Sequence, residues 1–212
     1  MNKVESGVAG TAEAVQPEQP KSDHDLITAH KAGDRLAFQD LVRKYENRVY
    51  NHCQRMVNDD EESADLTQEV FLKVYRNINN YEHTYSFYTW LYRITVNCCI
   101  DFMRKKRRQP SSVSLSQGNA DDFGSAGREQ EIPDEKFGPE IRMQNLELSD
   151  VLSSAIGKLS EKLRSIIILK EIEGFSYEEI AEILGCSRGT VKSRLFRARE
   201  RLKDILAPFM EN

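Results

Sequence analysis

Between residues 188 and 203 the chain carries seven cations, Arg188, Lys192, Arg194, Arg197, Arg199, Arg201 and Lys203, against one acid, Glu200, a net charge of +6. Guanidinium and ammonium groups at this density suit phosphates, and Arg or Lys can also read the O6 and N7 atoms of guanine. Val191, Leu195, Ala198 and Leu202 recur among them at helical spacing, which puts the cations on an amphipathic helix. Ser193, Phe196 and Arg197 lie opposite that apolar stripe, with Lys192 flanking them, Arg188 and Thr190 in the first turn and Arg194 between. A phenylalanine facing outward on a basic helix can touch a thymine methyl. Arg199, Arg201 and Lys203 suit phosphate or solvent. Upstream, Ser176 opens a shorter helix with Glu179 as its capping-box partner, and Gly185-Cys186 ends it before a second helix starts near Ser187. Two helices joined by a turn of about three or four residues containing Gly make a helix-turn-helix, whose second helix can enter the DNA major groove. On composition alone, a solvated basic face on a helical hairpin competes with this reading.

A second constellation spans residues 81–108. Six of the chain's eighteen aromatics fall within residues 81–92, and the run RKKRR (Arg104, Lys105, Lys106, Arg107, Arg108) follows. Phe87, Leu91, Ile94, Cys98 and Phe102 form a stripe that can pack inward, whereas Tyr88, Tyr92, Arg93 and Asn97 lie off that line and are expected to be free to face a ligand. Aromatic faces followed by cations suit a single nucleic-acid strand, which is held by stacking and by its backbone charge. Core packing is the better expectation for Phe87 and Trp90; for Asn97 and the basic run it is DNA.

These segments need positioning by helices. Leu66, Val70, Phe71, Val74 and Ile78 make the buried stripe of a helix over residues 64–81, with Asp65, Gln68, Glu69, Lys73 and Arg76 projecting elsewhere, a pattern that by itself reads as a solvated face. Residues 59–69 hold six acids and no base, and residues 109–150 carry nine acids against three bases. The overall charge of −4 therefore hides strong segregation, which fits a chain that meets both an anionic polymer and a basic protein surface. Residues 1–21 are polar and aperiodic and read as a disordered extension, residues 22–108 as a helical domain, 109–141 as a flexible acidic linker and 142–212 as a second helical domain. The expected fold class is all-α: two small helical domains on a flexible acidic linker, the C-terminal one a helix-turn-helix. Ile166–Leu169 is a possible strand, but its flanks are helical.

Composition also narrows the function. The N-terminus lacks the apolar core of a signal peptide, and no run approaches the ~18 apolar residues of a membrane span, so a cytoplasmic protein without membrane insertion is expected. Cys53, Cys98, Cys99 and Cys186 show no zinc spacing and read as reduced, mostly buried thiols, while His24, His30, His52 and His83 make no catalytic set. No catalytic residue, metal, cofactor or small-molecule substrate is expected.

With DLTQEVFLKVYR (65–76), SFYTWLYRITVN (86–97) and FSYEEIAEILGCSRGTVKSRLFRARE (175–200) in this order, the chain resembles the extracytoplasmic-function sigma factors of bacterial RNA polymerase, in particular the sigma-E-like members. The match covers about residues 23–108 and 142–207. The resemblance implies a promoter-specific initiation factor, acting in a stress or envelope response and held by an anti-sigma factor. It implies that Asp65, Gln68 and Glu69, with Lys73 and Arg76 on the same helix, bind the clamp helices of the polymerase largest subunit. Asn80, Tyr81 and Ser86 in the loop 80–86, together with the helix around Asn97, would read the −10 element and capture a flipped non-template base. The second domain would read the −35 duplex and sit on the polymerase flap, and the acidic linker would pass through the active-site region in place of nascent RNA. Trp90 is followed by Leu91 where larger sigma factors have two adjacent tryptophans, which implies weaker melting and stricter promoter choice; residues 1–21 match nothing in the family pattern. Two other classes are weighed against this reading. One is a helix-turn-helix regulator that is not a polymerase subunit, which leaves residues 81–108 unexplained. The other is a nuclease with a DNA-binding tail, which lacks clustered metal ligands.

Overall fold

A computed structural model of the chain describes residues 21–108 and 139–210, with side chains over 21–108 and 148–209. The expected extension (1–21) and linker (109–141) fall outside the described residues, apart from their inner ends.

The first half is a bundle of four helices, α1 (Asp23–Lys31), α2 (Arg35–Val57), α3 (Asp60–Asn77) and α4 (Phe87–Arg108). Each break between them has a local cause. Ser22 and Asp25 close a capping box on α1, and Gly33 turns the chain at φ 103 before Asp34 accepts the first amides of α2. Asn58 ends α2 in the left-handed region at φ 56, and the Asp59 carboxylate accepts the Glu62 amide at 2.9 Å to start α3. A single 3-10 turn, Ile78–Asn80, closes α3. The core is apolar and tight: Leu41, Val49, Cys53, Met56, Val70, Val74, Leu91, Val96 and Cys99 are all buried. Cys53 and Cys99 face each other across it with sulfurs 3.7 Å apart, and all four cysteines are free thiols.

The second half comprises α5 (Pro139–Gly157), α6 (Glu161–Ile167), a π turn (Ile168–Ile172), α7 (Tyr177–Ile183) and α8 (Arg188–Met210). The helix-turn-helix is built as its residues require. Ser176 Oγ accepts the Glu179 amide at 3.2 Å while Glu179 Oε2 accepts the Ser176 amide at 2.9 Å. Gly185 at φ 58 makes the turn, and Ser187 Oγ accepts the Thr190 amide at 3.1 Å to open α8. Val191, Leu195 and Ala198 are buried against α6 and α7. The Ile166–Leu169 run is the end of α6 and the start of the π turn, so the fold stays helical among the described residues.

The two halves pack on one another, chiefly α4 on α7 and α6. Arg164 of α6 reaches across to the Met56 carbonyl while also holding the Gly157 carbonyl, and Arg107 pairs with Glu161 at 3.1 Å. Burial lowers the Arg164 pKa against the raising effect of Glu161.

Candidate functional site

The most open of the candidate surfaces is α8. Lys192, Ser193, Phe196 and Arg197 are exposed, with Phe196 at 67%. Among the described residues, an aromatic ring left so far in water on a helix whose opposite side is fully buried has no packing role. Arg194 and Thr190 are half-buried, and Thr190 and Ser193 are partly engaged in the first turn, where Ser187 Oγ lies 2.9 Å from Thr190 Oγ1 and Ser193 Oγ donates to the Thr190 carbonyl. Arg188 pairs with Glu178 at 2.6 Å, and Arg199 donates twice to Glu171, at 2.7 and 3.2 Å. Lys192, Arg197 and Phe196 therefore form the outward centre of the helix, and Arg188 and Arg199 its ion-paired rim.

On α3, Asp65, Gln68, Glu69 and Arg76 are exposed along one side. Lys73 is turned inward instead, 2.6 Å from Glu69 and 3.2 Å from Cys98 Sγ. The Glu69 hydrogen bond raises the Lys73 pKa, while burial pushes the Cys98 thiol up against the pull of Lys73. Exposed Leu72 and Tyr75 interleave with the acids, so this face offers both apolar and charged contacts.

On α4 the expectation that Tyr88 and Tyr92 stand free is overturned. Tyr92 is fully buried and Tyr88 half-buried, because the second domain covers them. Phe175 lies against both: its ring centroid is 5.0 Å from that of Tyr88, nearly parallel at 17°, and 4.9 Å from that of Tyr92, edge-on. Two residues before it, Glu173 pushes its carboxylate into the first domain. Tyr92 donates to Glu173 Oε2 at 2.8 Å and Tyr88 approaches the same oxygen at 3.4 Å. His52 Nδ1 and Arg55 Nη1 face the other oxygen at 3.4 and 3.6 Å. Burial works against ionisation of Glu173, but His52, the Tyr92 hydroxyl and Arg55 outweigh it and hold the carboxyl below its ordinary value. Burial and the Glu173 charge push the Tyr92 hydroxyl far up. His52, Arg55 and Glu173 were not singled out from the sequence; no local motif marks them, since Tyr92 and Glu173 are 81 residues apart.

The rest of the expected strand-binding set is divided. Asn80, Arg93 and Asn97 are exposed, and Arg93 pairs with Glu182 of α7 at 2.9 Å. Tyr81 is buried and donates to the Tyr85 carbonyl at 2.7 Å, a second departure from the expected ligand-facing role. Ser86 caps α4, its hydroxyl accepting the Thr89 amide at 3.1 Å. In the basic run, Lys106 pairs with Glu62 at 2.6 Å, Arg107 with Glu161 and Arg104 loosely with Asp101, while Lys105 and Arg108 are exposed at the helix end. Among the described residues no group of three His, Cys, Asp or Glu side chains is placed to hold a metal ion, and no helix is long and apolar enough to cross a membrane.

Two protein families match, Sigma-70 region 2 over residues 41–109 and Sigma-70 region 4 over residues 149–202. The ECF RNA polymerase sigma-E factor of Escherichia coli K12 is 38% identical over 189 residues, 89% of this chain and 96% of that protein. The RNA polymerase sigma-H factor of Pseudomonas aeruginosa is 35% identical over 190 residues, 90% of this chain and 96% of that one. Among solved structures, the sigma factor RpoE of Bartonella quintana, determined in complex with the anti-sigma factor NepR, is similar at a TM-score of 0.58 and 26% identity, covering 80% of this chain and 96% of that chain.

Proposed function

We propose the following division of labour for a chain that belongs to the extracytoplasmic-function (ECF) sigma factors, the promoter-recognition subunits of RNA polymerase. It is a transcription initiation factor that binds core polymerase and directs it to promoters. Residues 22–108 act as the polymerase-binding and −10-reading domain, 109–141 as the acidic linker, and 142–212 as the −35-reading domain that sits on the flap. Asp65, Gln68, Glu69 and Arg76 form the face that meets the clamp helices, with Lys73 holding Glu69 in place from behind. Lys192, Phe196 and Arg197 read bases in the −35 duplex, with Ser193, Thr190 and Arg194 supporting them, while Arg188 and Arg199 hold phosphates. Asn80, Ser86, Arg93, Asn97 and the basic run 104–108 take the displaced −10 strand, Tyr81 shapes the loop from within, and Tyr88 and Tyr92, covered by Phe175 and Glu173, back this face. The chain acts in the cytoplasm, carries no catalysis of its own, and meets an anti-sigma factor.

The observation that supports this assignment is the outward Phe196–Arg197 pair on α8, exposed opposite the buried Val191–Leu195–Ala198 stripe, as a major-groove reader requires. Run-off transcription with core polymerase over a promoter library tests the assignment. Promoter-selective transcripts that disappear with Asp65→Lys/Glu69→Lys are the expected result. Tight, specific duplex binding without polymerase, and no transcripts with it, would assign the chain to the helix-turn-helix regulators instead.

A further inference from the structure

Helix α1 contributes no residue to the proposed polymerase or DNA surfaces, yet one side of it is committed to the loop that joins α3 to α4. The loop 80–86 has no period of its own, and its shape hangs on Tyr81, which is 5% exposed. The Tyr81 hydroxyl donates to the Tyr85 carbonyl at 2.7 Å and so draws the two ends of the loop together. Its ring lies among those of Phe87, Trp90 and His83, with centroids 5.8, 5.2 and 4.8 Å away. Glu82, His83, Thr84 and Tyr85 are left outside as an exposed tip, between Asn80 and Ser86.

α1 holds this loop at two points. Lys31, in its last turn, donates from Nζ to the Tyr81 carbonyl at 3.0 Å, across 50 residues of sequence. A lysine so placed ordinarily serves the free carbonyls of its own helix. Here its ammonium goes to the backbone of another element, in a bond strengthened and aimed by the charge. His24 lies about two helical turns back and therefore on the same side of α1. Its ring is 4.9 Å from that of His83 at the loop tip. The helix is a firm support, because Leu26 and Ile27 are buried and the Asp23 carboxylate accepts from Lys44 Nζ at 2.6 Å and from the Tyr45 hydroxyl at 2.5 Å, both on α2.

We propose that Lys31 and His24 are positioning residues for −10 recognition: they hold the loop 80–86 in the shape in which it reads a base, and so set its base preference without touching DNA. This rests on the assignment of that loop to the −10 strand and adds α1 to it. Lys31 has the larger part, since its partner is the loop backbone itself, whereas His24 meets an exposed side chain.

The test uses holoenzyme assembled from the full chain and a promoter whose −10 element is randomised, with the enrichment of each base read by sequencing the transcripts. Lys31→Met keeps most of the apolar stem and removes the donor. It is expected to flatten the base preference by about 3–10-fold, the range allowed by the net contribution of one hydrogen bond. Lys31→Arg restores a donor and is expected to recover most of the preference, and His24→Ala is expected to flatten it less than Lys31→Met does. The −35 profile, read from a randomised upstream element, is expected to match wild type in all three. A Lys31→Met holoenzyme that transcribes less at every sequence with an unchanged −10 profile would overturn the proposal, since that is the mark of a merely structural contact. Equal flattening by Lys31→Met and Lys31→Arg would overturn it, as would a −35 profile that flattens together with the −10. Lys31 is exposed at a helix end, so Lys31→Met should fold; should it not, His24→Ala decides, and a wild-type −10 profile there overturns the proposal. Asn80→Ala separates this role from the reading beneath it. If Asn80→Ala shifts the −10 profile and Lys31→Met does not, the positioning role alone fails; if neither shifts it, the loop is not the −10 reader and both fail.

Discussion

Helix α8 holds Phe196 two-thirds in solvent with Arg197 beside it, whereas α4 keeps Tyr92 fully enclosed and Tyr88 half-enclosed beneath the other domain. Both helices carry an apolar stripe to their own domain's core, Val191–Leu195–Ala198 in one and Leu91 with Cys98 in the other. The difference lies on the far side. On α8 that side is mostly charge, which water solvates, and one ring. On α4 it is a tyrosine pair, and each aromatic ring contributes ~150–250 Å² of buriable surface. A duplex reader can be left open because duplex is always available to it, while a strand-binding face has no ligand until DNA opens. Glu173 and Phe175 cover that second face, one through the Tyr92 hydroxyl and the other by stacking on Tyr88.

The largest expected effects separate the two surfaces. Replacing Arg197 or Lys192 by alanine should relax preference at the −35 element by about 1–3 kcal/mol for a bidentate base contact, measured by selection from a randomised upstream element. Strand opening by the holoenzyme should stay intact on promoters that these variants still bind. Asn97→Ala should do the converse. Permanganate reactivity of thymines near the start site should drop far more than closed-complex formation does. If both classes of variant shifted the same readout, the separation between duplex and strand surfaces would fail.

Smaller effects sharpen the contrast. Glu171 ties Arg199 at the rim, so Arg199→Ala should weaken −35 duplex binding without changing its sequence profile, as expected of a phosphate contact. The exposed pair itself should contribute at most about 0.2–1 kcal/mol to stability, measured by denaturant unfolding. The seam between the two domains, by contrast, should respond to acid. The Glu173 carboxyl is held below its ordinary value, so its contribution is fully present above the ~4.3 of a free glutamate and is lost as pH falls through the lowered value. Radical modification of Tyr92 should therefore rise on acidification in the wild type, with a weaker response in Glu173→Gln. An identical response in both would remove Glu173 from the account.

What sequence shows and hides follows from the range of each interaction. The capping box at Ser176–Glu179, the Gly185 turn and the Val191–Leu195–Ala198 stripe are local, and periodicity with cap chemistry places them within a residue or so. The same periodicity correctly sends Tyr88 and Tyr92 away from the stripe of α4. It carries no information about what lies there, since the covering residues Glu173 and Phe175 come from a distant helix end. The burial of Tyr81 is hidden for a similar reason: in a loop without a period, an aromatic's side is decided by neighbours such as Phe87 and Trp90, whose rings lie 5.8 and 5.2 Å from it. His52 looked like one of four scattered histidines, and its place beside Glu173 exists only in the folded chain. The π turn at Ile168–Ile172, with the sequence ILKEI, likewise carries no local signal that separates it from a helical turn.

Central to the proposed function is a duplex-reading face on α8 that stands open beside a face of α4, Tyr88 and Tyr92, that the second domain covers. Hydroxyl-radical footprinting of the free wild-type chain tests it most directly. Phe196 should be modified readily and Tyr88 and Tyr92 poorly. Tyrosines as reactive as Phe196 would contradict it.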